Sequence, residues 1–265
     1  MKVETTTGRP SEGLHWYDRS GNPVYEVRGA NGQLRAPTLR DARKFGWLPG
    51  VSSILAMEAK PMLERWKIEQ AIMAALTLSR LPNESEDAFM VRVREDSQAQ
   101  AKKAAARGTE IHALIQGAFE NRPYPLECAP FVEPLRKYVS ERYGLHDWQA
   151  ERSFAHYLGY GGKSDLANKQ VVIDIKCKEF DETKSAEQLA YPEHCMQLVA
   201  YAQGLDIPRP ECLNIFVSTL IPGLIRVRQW EEWEMADGRE AFSLLLRLWK
   251  IRRQYDGAFK LEEVA

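Results

Sequence analysis

The chain has 265 residues, 44% of them hydrophobic and 28% charged, and its formal net charge is -1. That length and apolar content suit one large domain, or a core domain with a helical attachment, and the near-neutral balance excludes a protein coated in positive charge for bulk nucleic-acid binding while leaving room for a local basic groove. No apolar run reaches bilayer-spanning length, and the four cysteines, with no C-x-x-C pair and no secretory leader, point to reduced thiols in a cytoplasmic protein that makes no membrane contact.

In chain order, residues 1–12 read as a flexible tail carrying Thr5-Thr6-Thr7 and Gly8-Arg9-Pro10. Residues 14–35 split aromatic and β-branched runs (His15-Trp16-Tyr17, Val24-Tyr25-Glu26-Val27) by Gly, Asn and Pro clusters, the pattern of a short hairpin region. Residues 51–120 read as helical. Pro61 suits a first helical position, and Met62, Leu63, Trp66 and Met73 form a stripe after it. Asn83-Glu84-Ser85-Glu86 resembles a capping box, and Ala99 to Phe119 is rich in strong helix formers, with Gly108 as the weak point. A short helix over 131–143 ends near Gly144.

The period then changes. Residues 148–158, 160–168 and 170–178 predict three successive strands, with turns at Gly159-Tyr160-Gly161-Gly162 and Asn168-Lys169-Gln170. Pro192 opens a helix over 192–204. Cys212 to Ser218 reads as a buried strand, and Leu224 to Trp230 as another. Residues 231–255 predict a long helix with Phe242, Leu245, Leu246 and Trp249 on one stripe. The order over 97–218 predicts an α/β fold, a central mixed β-sheet flanked by helices. The chain divides accordingly into a tail (1–12), an N-terminal hairpin and helical region (13–96), a core (97–230) and a C-terminal helix packed on the core (231–265).

The strongest chemical signal is Val171-Val172-Ile173-Asp174-Ile175-Lys176-Cys177. Strand alternation sends Val171, Ile173, Ile175 and Cys177 one way and Asp174 and Lys176 the other. An acid and an amine on an apolar strand are costly to hold unless they have partners or a task. Asp165, in Gly161-Gly162-Lys163-Ser164-Asp165, lies on the preceding strand, where a hairpin can bring the two carboxylates side by side. Two converging carboxylates suit a hard cation such as Mg²⁺ or Mn²⁺, and a lysine beside them can offset charge on a phosphoryl transition state. His112, four residues after Gly108, can add a nitrogen ligand from the preceding helix. Gln197 and Tyr201 share a helix face and can orient Lys176, a water or a phosphate. Glu151 is a candidate extra acid on the first strand.

The ordered set G-x-x-x-H, G-x-x-D, hydrophobic-D-x-K and Q-x-x-x-Y resembles the RecB-like branch of the PD-(D/E)XK nuclease superfamily, and is similar to phage recombination exonucleases and mitochondrial genome-maintenance exonucleases. The resemblance covers roughly residues 97–218, and Leu48-Pro49-Gly50-Val51-Ser52-Ser53-Ile54-Leu55 with Trp66-Lys67 looks like the helical N-terminal region of such exonucleases. It implies a restriction-endonuclease-like core, with metal held by His112, Asp165, Asp174 and the Ile175 carbonyl. It further implies Lys176 as the catalytic lysine and Gln197 and Tyr201 as supporting residues.

A Mg²⁺- or Mn²⁺-dependent DNA exonuclease is therefore expected, acting on linear ends or single strands in recombination or repair, phage-derived, and served by a recombination partner protein. A structure-specific endonuclease of the same fold, or a non-catalytic DNA- or protein-binding module, stays open. Arg43 and Lys44, close to Phe45 and Trp47, mix charge with aromatic faces as a single-strand path would. Lys102, Lys103 and Arg107, on the helix leading to His112, are the second candidate set of DNA contacts.

Overall fold

The computed structural model describes residues 15–59 and 61–259, except the side chains of 61–63, 100–102, 104 and 105. The expected 1–12 tail and the side chain of Lys102 lie outside the described residues. The elements are β1 (Trp16–Tyr17), β2 (Pro23–Val24), β3 (Val27–Arg28), β4 (Leu34–Arg35), α1 (Leu39–Phe45), β5 (Leu48–Pro49), α2 (Val51–Leu55), α3 (Pro61–Thr77) and α4 (Glu86–Phe119). They continue with α5 (Ala129–Tyr143), β6 (Gln149–His156), β7 (Tyr160–Ala167), β8 (Val171–Lys178), α6 (Ala186–Leu189), α7 (Pro192–Gly204), β9 (Glu211–Ser218), β10 (Ile225–Gln229) and α8 (Glu232–Arg253).

The architecture is a five-stranded mixed sheet, in the order β10-β9-β8-β7-β6, between two helical layers. β8 and β9 are parallel, joined by a crossover through α6 and α7, and the other neighbours are antiparallel. Alternation along β8 decides the layering. Val171, Ile173 and Ile175 join Ile111 and Ile115 of α4 and Phe131, Leu135 and Val139 of α5 in one core. Val172 faces the opposite core, built from Leu198 and Val199 of α7, Phe242, Leu246 and Trp249 of α8, and Trp16, Trp47 and Ile54 of the N-terminal region.

Three short elements differ from the sequence reading. α1 and α6 fold where the sequence predicts no element, each opened by a capping box (Thr38 with Asp41, Ser185 with Gln188). β5 pairs with β1 in a small three-stranded sheet. α4 runs unbroken through Gly108, so residues 96 and 97 fall inside one helix. A Cβ on Gly108 would stand 3.4 Å from that of Cys177, which shows how closely α4 lies on β8. Among the described residues no helix is long and apolar enough to cross a membrane, and all four cysteines are free thiols.

Candidate active site and metal centre

The site forms where β7 and β8 part. Their ladder is limited to Leu166–Ile173 and Ala167–Val172, next to the hairpin turn. One step on, Asp165 turns its carboxylate into the opening, and its Oδ2 accepts the Ile175 N–H at 2.8 Å, a donor that a continued ladder would give to β7. The other oxygen, Oδ1, lies 2.9 Å from His112 Nε2, which α4 delivers across the sheet. A single carboxylate thus ties the helix to the strand backbone.

Glu151 reaches the same place from β6. Its neighbours pair regularly with β7 (Ala150 with Leu166, Arg152 with Ser164), but Glu151 itself takes a left-handed φ of 53°. For a residue with a Cβ that conformation costs on the order of 1 kcal/mol, and its placement mid-strand at this site is a local strain with a use. It aims the carboxylate toward Asp165, where Lys163 ion-pairs with it. His112, Glu151 and Asp165 each present a ligand atom within 4.8 Å of the others. One imidazole nitrogen and two carboxylates are a donor set that fits a divalent cation of the Mg²⁺ or Mn²⁺ type.

Asp174 stands outside that trio. It is buried, and its two oxygens accept Lys176 Nζ at 3.0 Å and Asn214 Nδ2 at 2.7 Å. Burial pushes its carboxyl above the ordinary carboxylate range, Lys176 pulls it back, and Asp165 pushes it further up. A polar chain runs through this pair. Tyr201 Oη accepts Gln197 Nε2 at 2.8 Å, Gln197 Oε1 accepts Lys176 Nζ at 3.1 Å, and Asn214 Oδ1 accepts the Trp230 indole N–H at 2.8 Å. Burial holds the Tyr201 phenol well above its usual value, so it stays protonated.

The sequence-named residues therefore fall into two adjoining groups, His112 with Asp165 and Glu151, and Asp174 with Lys176, Gln197 and Tyr201. Ile175 engages Asp165 through its N–H; the engagement seen here is not through its carbonyl. Two partners were missed. Lys163 sits inside the Gly161-to-Asp165 motif but gave no signal of its own. Asn214 is a polar residue within the apolar run Cys212–Val217 of β9, and it meets Asp174 because the parallel register sets the two opposite each other. The DNA-contact candidates are dispersed. Arg107 pairs with Glu110 at 2.7 Å on α4, one residue before Gly108, and Lys103 is exposed a turn earlier. Arg43 donates to the Arg253 carbonyl at 2.6 Å, so it holds the end of α8, and the Lys44 ammonium lies 5.1 Å from the centroid of the Phe45 ring, which stacks on Trp47.

No family model matches the chain, and no curated protein matches it. Among solved structures, an alkaline exonuclease (LHK-Exo) from Laribacter hongkongensis is similar over 72% of this chain and 95% of its own, at 14% identity and a TM-score of 0.36. The same exonuclease in complex with dAMP is similar over 77% of this chain and 87% of its own, at 13% identity and a TM-score of 0.37. At these values nothing about the chemistry of this chain follows from the likeness.

Proposed function

We propose that the chain is a metal-dependent deoxyribonuclease that hydrolyses phosphodiesters from linear DNA ends. The observation that carries this reading is the convergence, at the parting of β7 and β8, of the His112–Glu151–Asp165 ligand set with the Asp174–Lys176 pair. A divalent cation held by the trio would neutralise phosphate charge and make a water acidic enough to serve as nucleophile. The protein's own share is placement. Asp165, fixed by the Ile175 N–H, orients His112. Asp174 and Gln197 aim the Lys176 ammonium at the opening, where it offsets charge growing on a phosphoryl oxygen. Asn214 and Tyr201 in turn hold those two acceptors. Lys103 and Arg107 lead along α4 to this point and suit the phosphates of an incoming strand. The site belongs to a nuclease core over 97–230, working in recombination or repair.

The test is nucleotide release from linear and from covalently closed DNA, with Mg²⁺, with Mn²⁺ and with a chelator. Wild type is expected to degrade linear DNA only when metal is present and to spare closed circles. Lys176→Ala and Asp165→Asn are each expected to lose at least about a hundredfold in rate, as removal of a transition-state charge partner does. Cutting of closed circles would make it an endonuclease. DNA binding without cleavage in either metal would leave a binding module and end the enzymatic reading.

A further inference from the structure

α8 has one face on the core, through Met235, Phe242, Leu246 and Trp249, and a second face in solvent that is not an ordinary polar one. Trp233, Leu244 and Ile251 project along a single line at helical spacing, 67%, 62% and 64% exposed, with Leu248 beside them. Asp237, Glu240 and Arg247 lie on the same line, all exposed, and among the described residues none of the three has an ion-pair partner. Three large apolar side chains aligned in water on one helix are a cost that a partner removes.

The charges on that line say which partner. The acids sit in its N-terminal half and the arginine in its C-terminal half, so the pattern is complementary to its own reversal. In an antiparallel pair registered at the level of Phe242, Trp233 meets the partner's Ile251, Asp237 meets the partner's Arg247, and Glu240 meets the partner's Leu244 within one turn of the partner's Arg247. A twofold axis repeats each contact, so Trp233 and Ile251 cover each other at both ends and both Asp237–Arg247 pairs close. No other offset satisfies the ends and the charges together. A parallel pair would set Asp237 against Asp237 and Arg247 against Arg247.

We propose that the exposed face of α8 is a twofold interface between two copies of this chain, with Asp237 and Arg247 setting its register. A helix of about 33 Å at 1.5 Å per residue gives contact at the small end of specific interfaces, so the dimer is concentration-dependent. The inference is independent of the nuclease reading, since it uses no residue of that site.

Light scattering after size exclusion, with the full chain at about 10–100 μM, the range suited to a small interface, reads the mass directly. Wild type is expected at twice the chain mass. Asp237→Arg and Arg247→Asp are each expected to run as monomers, because each puts like charges at both contacts. The equimolar mixture of the two variants is expected to return to the double mass, as is the Asp237→Arg/Arg247→Asp double variant. Recovery in the mixture also shows that both variants fold. A monomeric wild type across the range would hand the face to another occupant and overturn the proposal. So would single variants that stay dimeric, or a mixture that stays monomeric.

Discussion

Asp174 is the most costly side chain of the site to hold ionised, because it is buried in β8 beside Asn214 of β9 and shares the opening with Asp165. A folded-state pKa above the unfolded value means the native chain binds the proton more tightly. Stability from this group is then fully present below the ordinary aspartate range and is lost as pH rises through the raised native value. The metal-free protein therefore carries the penalty of the ionised carboxylate increasingly as pH rises through that native value. Asp174→Asn removes that charge while keeping an acceptor for Asn214. It is expected to raise the melting temperature of chelator-treated protein by about 2–4 °C, the shift that roughly 1 kcal/mol gives at this size. The same variant is expected to abolish cleavage, so stability and activity move in opposite directions. A lower melting temperature would show that the bond to Lys176 outweighs the buried charge.

Among the elements, α7 matters most, since it delivers Gln197 and Tyr201 and its seat on the sheet is set by glycines. A Cβ on Gly204 would run into the buried ring of Phe154, and one on Gly162 would meet that ring at 2.6 Å and Tyr201 at 2.9 Å. Gly204→Ala is therefore expected to destabilise by about 1–3 kcal/mol, the usual cost of overpacking, despite the ~1 kcal/mol that Ala gains over Gly in a helix. Trimming the ring with Phe154→Leu in the same chain should recover part of that loss, so the double variant is less destabilised in urea than the sum of the singles. Strict additivity would show that the methyl meets something else. Gly108→Ala is the contrast, because the added methyl falls in ordinary contact with Cys177 and the helix propensity gain remains. These packing demands also mark what the sequence disclosed. Period two along Val171–Cys177 places Asp174 and Lys176 on one face without any knowledge of the fold, and the i, i+4 spacing does the same for Gln197 and Tyr201. Asn214 required the β8–β9 register, the aim of Glu151, which the sequence names as an extra acid, required a backbone conformation that no propensity indicates, and α1, β5 and α6 are too short to show a period. The glycines of Gly161-Gly162 read as a turn, whereas they are strand residues cleared for Tyr17 on one side and Phe154 with Tyr201 on the other.

At the scale of the whole molecule, α4 lives in two environments. Its C-terminal part is built into the sheet's core through Ile111, Ile115 and Ala118, whereas its N-terminal part packs chiefly on α3. Among the described side chains of α3 only Ala74 is buried, and Trp66, Ile68, Ile72, Met73 and Leu76 face solvent. A pair of helices with so little apolar area removed from water opens at a small free-energy cost, while the layer over β8 opens only with the domain. Amide hydrogen exchange should therefore split α4 along its length. Protection at Ile111 to Ala118 is expected to match that of β8 and to exceed protection in α3 and in Glu86 to Val93 by at least about a thousandfold, the ratio that ~4 kcal/mol of extra opening free energy produces. Uniform protection along all 34 residues of α4 would mean that the α3–α4 arm is held as firmly as the core, and by contacts other than the apolar ones described for it. The split matters for the site because His112 stands on the protected side of the division. On the proposed function, the ligand set then stays ordered while the N-terminal arm of α4 opens and closes, and Arg107, over the Phe131 ring of α5, stays with the core.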